Sequence, residues 1–372
     1  MDTTLLILAV TLFLAFANGA NDNFKGVATL YGSRTLSWRA SLAWATIATL
    51  AGSLTAAYLS ASLAKLFSGK GLVPDAFVAD PAFTLAIISG AAITVMLAAR
   101  VGIPISTTHA LVGALTGAGI AATSWQISWG ALLGGFFWPL VASPFVAFAL
   151  AALLYRVTTA ARGALSVGKE TCVCLSSGRV VAAPGGVVML QASRPEWFVA
   201  EAEECREIQR YDGRVLGVQA QSLVTAAHVA SSGAVSFARG LNDTPKIVGV
   251  ALVASQLNAM WLTYMAAVAM AAGGLLASHR IAKTMSHKIT DIQHGRGLVA
   301  NVVTSFLVIV ASRWGVPVST THVSCGSIFG IGAATREEQT TNWSVVRGIL
   351  LAWVTTLPMA AALAAGIYLI AA

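Results

Sequence analysis

The chain has 372 residues, 56% of them hydrophobic and only 10% charged, with a mean hydropathy of +0.75. A water-soluble globule of this length needs more charged surface, so composition excludes one and predicts an integral membrane protein. The formal net charge of +8 does not indicate a nucleic-acid partner, because much of it lies in short segments between apolar stretches, as the positive-inside rule expects.

The start, Met1-Asp2-Thr3-Thr4-Leu5, has no basic leader region and no small-residue cleavage site, so the first apolar run reads as a retained span. Apolar segments follow at roughly 4–18, 40–66, 83–99, 105–123, 128–155, 217–238, 246–277, 298–312, 317–334 and 344–371, about ten in all. Residues 157–216 break the pattern. They carry Arg162, Lys169, Arg179 and Arg194 and the acidic run Glu201, Glu203, Glu204 and Glu207. A hairpin is expected around Pro184-Gly185-Gly186 and a helix over 195–210, opening at Pro195-Glu196. The organisation predicted is an N-terminal membrane repeat at 1–156, a polar insert at 157–216 and a C-terminal membrane repeat at 217–372.

Orientation follows from Lys and Arg. The segment His279-Arg280-Ile281-Ala282-Lys283-Thr284-Met285-Ser286-His287-Lys288 is strongly basic and is expected in the cytoplasm. Alternation from there places the insert inside and both termini outside a cell membrane. Each half has an odd number of spans, so the halves run through the bilayer in opposite directions. The fold class expected is an all-α polytopic membrane protein. It is an inverted-topology repeat of two five-to-six-segment halves with discontinuous or re-entrant helices.

Two blocks recur in the same order in each half. Phe16-Ala17-Asn18-Gly19-Ala20-Asn21-Asp22-Asn23-Phe24-Lys25 is matched by Phe237-Ala238-Arg239-Gly240-Leu241-Asn242-Asp243-Thr244-Pro245-Lys246. The run from Arg100 through Gly102, Pro104, Ser106, Thr107, Thr108 and His109 is matched by Arg313, Gly315, Pro317, Ser319, Thr320, Thr321 and His322. Gly113 and Gly117 are matched by Gly326 and Gly330. Duplication explains this; chance does not.

A Pro and a Ser-Thr-Thr run before an apolar segment mark a helix N-terminus with hydroxyls to cap it. Such an end carries partial positive charge and spare donors, which suit an anion. With inverted halves, one such end enters from each side, and Ser106, Thr107, Thr108, Ser319, Thr320 and Thr321 meet near the midplane. A lone Ser-Thr-Thr is better read as a simple cap; two copies at matched positions favour a site. An intramembrane carboxylate is a functional candidate by default. Asp22 and Asp243, with Asn21 and Asn242, are candidates to bind a coupling cation or a protonated substrate oxygen. The plainer reading pairs Asp22 with Lys25 and Asp243 with Lys246 across one helix turn. His109 and His322 are either proton shuttles or packed, hydrogen-bonded side chains. The GxxxG pairs read as close helix contacts.

These residues resemble the inorganic phosphate transporter (PiT) family. Gly19-Ala20-Asn21-Asp22 and Pro104-Ile105-Ser106-Thr107-Thr108-His109 are similar to its two signatures, and the second half repeats both. The resemblance covers the membrane halves and not the insert. It implies a commonly homodimeric inverted-repeat carrier of phosphate, coupled to sodium or protons, with the Asn-Asp and Ser-Thr-Thr residues forming the sites. Relatives in the wider family carry sulfate. Family members commonly have Asn-Asp-x-x-Asn, but this chain has Lys25 and Lys246 at the last position. Each lysine either takes the space of a sodium ion, contacts the anion, or only neutralises its aspartate. Pro245 is a second departure and predicts a broken helix there.

No organic cofactor is expected, and no metal beyond a possible sodium near Asp22 and Asp243. Cys172, Cys174 and Cys205 offer three thiols without a fourth clear ligand, a poor zinc site. A sulfate carrier, a membrane enzyme using His109 or His322, and a passive anion channel are the rival readings.

Overall fold

A computed structural model describes residues 2–165, 171–183, 187–201, 216–255, 257–287, 294–335 and 343–372. Helix α1 spans Thr3–Asp22, passes into a 3-10 turn at Asn23–Val27 and resumes as α2 at Ala28–Gly32. Helix α3 (Trp38–Leu59) is followed by the short α4 (Ala61–Phe67) and α5 (Asp75–Val78). Helix α6 runs over Pro81–Val101 and α7 over Thr107–Thr123. Helix α8 (Trp129–Leu132) leads through a π-helical turn at Leu133–Phe137 into α9 (Trp138–Ala164). In the second half, α10 spans Ala220–Ser255, α11 Ala259–Ala277, α12 His279–His287, α13 His294–Trp314, α14 Thr320–Ala334 and α15 Trp343–Ala371.

Local chemistry sets the ends. Asp80 accepts from the Ala82 amide with Pro81 at the first helical position, and α6 stops at Gly102, whose φ is +81°. Seven of the described helices are long and apolar enough to cross a bilayer. Their outer faces expose Ile47, Leu97, Phe145, Phe306, Val354 and Leu369. The buried interior instead holds many polar and charged side chains. An apolar exterior around a polar centre is the arrangement a bilayer solvent favours.

The two halves interlock through reciprocal contacts. Helix α1 packs on α11 as α3 packs on α10, and α7 packs on α15 as α9 packs on α14. The GxxxG pairs make two of these contacts close. A Cβ on Gly113 or Gly117 would lie 2.3 and 2.0 Å from the carbonyl oxygens of Leu357 and Ala361. On Gly326 or Gly330 it would lie 2.4 and 2.2 Å from those of Pro144 and Phe148. Backbone lies on the far side of each contact, so the helices must separate to admit any side chain. Gly117→Val and Gly330→Val are each expected to cost at least about 1–3 kcal/mol by overpacking. Thermal unfolding in detergent checks this, and an unchanged midpoint in both would refute the close contacts.

Three expectations from the sequence are corrected. The segment 246–277 is not one span: its first ten residues complete α10, and α11 starts afresh after Asn258, whose side chain caps the amides of Met260 and Trp261. Pro245 does not break its helix, because α10 runs through it without interruption. Proline withholds one amide and frees the carbonyl four residues back. Here Ser60 donates to that Leu241 carbonyl at 3.2 Å. The break falls instead in the equivalent, proline-free stretch of the first half, at the 3-10 turn holding Lys25.

The third correction concerns 195–210. Residues up to Glu201 belong to strand β2 (Val187–Glu201), antiparallel to β1 (Thr171–Ala183), which also pairs with β3 (Leu216–Gln219) in the order β2-β1-β3. Trp197-Phe-Val favours a strand. The register shifts between Ser176↔Glu196 and Gly178↔Ala192, so Pro195 falls at the irregularity, where no ladder amide is needed. The tip at 184–186 and residues 202–215, with Cys205 and the rest of the acidic run, lie outside the described residues.

Candidate functional site

The site is built where the two repeats cross. Helices α7 and α14 begin in the buried centre and not at a surface. With 17 and 15 residues they are too short to span a bilayer core of about 30 Å. Ser106 caps α7 by accepting from the His109 amide at 3.1 Å, and Ser319 caps α14 through the His322 amide at 3.2 Å. Before each cap the Pro-Ile and Pro-Val steps lie outside any helix, and the cap residue itself is extended. The carbonyls of Ile105 and Val318 are therefore free to accept from side chains.

Asp22 and Asp243 sit 1% and 2% exposed at the end of α1 and in mid-α10. Lys25 forms a short ion pair with Asp22, and Lys246 stands 3.7 Å from Asp243. Each lysine also reaches across both repeats. The Lys25 ammonium donates to the Ile105 carbonyl and the Thr321 hydroxyl, each at 2.6 Å, and to Asn21 Oδ1 at 2.9 Å. The Lys246 ammonium donates to the Val318 carbonyl and the Thr108 hydroxyl, each at 2.7 Å. Ile105 and Val318 are equivalent positions of the repeat, as are Thr108 and Thr321, so each lysine meets the same carbonyl and the same cross-repeat hydroxyl; among the described residues the Asn21 contact of Lys25 has no counterpart at Lys246. Thr107 donates to Asp22 Oδ2 at 3.2 Å, Asn242 donates to Asp243 and to Val318, and Thr320 is buried at the same helix end.

The two lysine–aspartate pairs expected from sequence spacing are thus present, within a larger network. His109 and His322 face each other across the repeat with ring centroids 4.3 Å apart. The Nδ1 atom of His109 lies 3.0 Å from Ser106 Oγ, and His322 packs on Trp353 at 3.7 Å between ring centroids. His109 is thus packed and hydrogen-bonded, whereas His322 is packed with its buried Nε2 lacking a hydrogen-bond partner among the described residues.

Sequence reading passed over Arg239, Asn18 and Asn23. Arg239, 1% exposed, stands where the first repeat has Asn18, and the two bond to each other. Its guanidinium donates to Asn18 Oδ1 at 2.7 Å, to Asn23 Oδ1 at 3.1 Å and to the Thr49 hydroxyl at 3.2 Å. Its Nε lies 3.8 Å from Asp243. The Asn18 amide in turn lies 2.9 to 3.2 Å from Thr107, Asp22 and Asp243, joining the carboxylates of the two halves. The missed signal was simple: an arginine next to the apolar run 217–238 is as costly as an aspartate.

Five charges therefore share one buried cluster, and three cations against two carboxylates leave one formal positive charge. The cluster offers ammonium, guanidinium and hydroxyl donors together with carboxylate acceptors. Chemically it suits a small anion that can both accept and donate hydrogen bonds. Among the described residues no group of three or more His, Cys, Asp or Glu is placed to hold a metal ion.

Comparison with known proteins agrees with this chemistry. The family model described as the PHO4 phosphate transporter family matches residues 18–364. A Rhizobium meliloti protein named "Probable low-affinity inorganic phosphate transporter" is 28% identical over 386 residues, covering 99% of this chain and 98% of its own. A Bacillus subtilis protein of the same name is 26% identical over 377 residues, covering 99% and 96%. Among solved structures, one titled "The sodium-dependent phosphate transporter" superposes with a TM-score of 0.77. It is 18% identical and covers 100% of this chain and 99% of its own, a likeness of fold.

Proposed function

The chain belongs to the phosphate transporter family, and on that premise we propose that it takes up inorganic phosphate as a secondary active carrier working by alternating access. The anion is held between the N-termini of α7 and α14 by Ser106, Thr107, Thr108, Ser319, Thr320 and Thr321, with Asn21, Asp22, Asn242 and Asp243 completing the site. The observation that carries this reading is the convergence, from both repeats, of two hydroxyl-tipped helix starts on a buried cluster with net positive charge.

The carboxylates favour phosphate over sulfate. At neutral pH phosphate keeps a proton that Asp22 or Asp243 can accept in a hydrogen bond; sulfate has none. The reciprocal contacts between the halves support inverted repeats, whose relative rocking would expose one buried site to each face in turn. Basic α12, with Arg280 and Lys283 exposed, supports a cytoplasmic placement for that face, the insert inside and both termini outside. The paired sites argue for a carrier and against an enzyme with one reaction centre.

Labelled phosphate uptake into proteoliposomes under imposed ion gradients tests the proposal. Accumulation above the external concentration is expected, and simple equilibration would mean a channel. A site that accepts from a substrate hydroxyl rejects an analogue lacking it by up to about 10⁴-fold. Sulfate in large excess should therefore leave uptake intact, and equal competition would make this a general oxyanion carrier.

A further inference from the structure

The oxygen sets around the two lysines have a consequence for coupling. Each ammonium sits in a cage of hard oxygen donors drawn from both repeats. Around Lys25 they are the Asp22 carboxylate, the Asn21 amide oxygen, the Ile105 carbonyl and the Thr321 hydroxyl. Around Lys246 they are the Val318 carbonyl and Thr108 hydroxyl, with the Asp243 carboxylate 3.7 Å away. Carboxylate, amide, unwound backbone carbonyl and hydroxyl oxygens are the ligands by which membrane carriers hold an alkali cation. The fold neighbour's title speaks of sodium dependence, but the residues present here do not fit a sodium ion at these positions. Contacts of 2.6 and 2.7 Å to the ammonium nitrogens leave no room for a second cation among the same oxygens. Charge points the same way. The cluster already carries one excess positive charge, and each added ion would raise it in a buried setting where like charges repel strongly.

We propose that Lys25 and Lys246 are resident cations, tethered ammonium groups that fill two alkali-cation cages so that this protein binds its anion without sodium. The cages share a carbonyl and a cross-repeat hydroxyl at equivalent positions of the repeat, so the same kind of substitution is made in both halves. Each ammonium holds a hydroxyl from the opposite half's helix start, Thr321 for Lys25 and Thr108 for Lys246. The lysines therefore also tie the two halves together at the point where the anion is received. The inference rests on the phosphate-carrier reading only for the identity of that anion; cage occupancy can be measured without it.

The test uses the purified full chain in detergent, with ²²Na⁺ and ³²P-labelled inorganic phosphate as separate probes in a scintillation proximity assay. The wild-type protein should show no saturable sodium binding. Its phosphate affinity should be the same in sodium chloride and in choline chloride. Coupled sites shift one another's affinity by about 5- to 150-fold. A shift of that size in the wild type, or saturable sodium binding by it, would overturn the proposal. Lys25→Asn empties one cage and leaves its oxygens, so a folded variant should gain saturable sodium binding. A monodisperse Lys25→Asn protein that gains none would also count against the cages. If no phosphate binds in either salt, the carrier reading fails, and the sodium measurements still decide cage occupancy.

Discussion

Asp22→Asn and Asp243→Asn proteins are expected to fold, insert and lose phosphate uptake. Both carboxylates are held by several donors: Asp22 accepts from Lys25, Asn18 and Thr107 of its own repeat, and Asp243 accepts from Asn18 of the opposite repeat and from Asn242, with Arg239 and Lys246 within ion-pair range. An asparagine keeps the shape but turns one oxygen into a donor, which then faces other donors. Truncating one partner of a buried, hydrogen-bonded charge pair costs about 2–5 kcal/mol, or roughly 30-fold and more in an equilibrium. The loss of uptake should be at least of that order. The alternative, in which the aspartates serve only to neutralise the lysines, predicts the opposite sign. Removing a negative charge would then leave the cluster more positive and tighten anion binding. Uptake rates and phosphate affinities of the two variants, with circular dichroism and gel filtration as folding controls, separate these outcomes. Wild-type uptake in both would sink the site.

The second large effect is expected at Arg239. Its guanidinium bonds Asn18 and Asn23 in the first repeat while facing Asp243 in the second. Arg239→Leu removes the charge and the fork together. It strands two amide oxygens and leaves Asp243 with Lys246, 3.7 Å away, as its remaining ion-pair partner. Breaking a buried ion pair in this way costs about 3–5 kcal/mol. A fall in thermal midpoint and a loss of uptake should appear together. Arg239→Lys restores the charge without the planar fork, so it should recover part of the stability by pairing with Asp243 but not the simultaneous bonds to Asn18 and Asn23. An Arg239→Leu protein as stable as the wild type would show that the bridge contributes nothing.

The asymmetry at this position follows from geometry. Asn18 and Arg239 occupy equivalent positions of the sequence repeat and touch each other. Two arginines there would repel, and two asparagines would leave the carboxylates without a cation between them. One of each satisfies both limits. The same logic applies to the helix break. The first half unwinds at Asn23–Val27 and the second runs straight through Pro245, because Ser60 supplies the hydrogen-bond donor that proline lacks.

Much of this was legible in the order of residues. Hydropathy announced a membrane protein, and matched Asn-Asp and Ser-Thr-Thr blocks announced a duplication and the candidate residues of its site. Helix spacing paired each aspartate with the lysine three positions on. These features are local or repetitive, and a single chain carries them without reference to folding. Contacts between distant residues were not legible. Nothing near Lys25 in the sequence points to Thr321, and nothing near Lys246 points to Thr108; the meeting of the N-termini of α7 and α14 creates both contacts. Nor did Pro245 reveal whether its helix would break, since the answer lay with a serine from another helix. Local periodicity and repetition thus determined the fold class and marked the candidate site residues of the two repeated blocks, though not Arg239, Asn18 and Asn23. Packing of the two halves decided which side chain meets which, because buried charges and unpaired backbone groups take whatever partners the tertiary fold brings within reach.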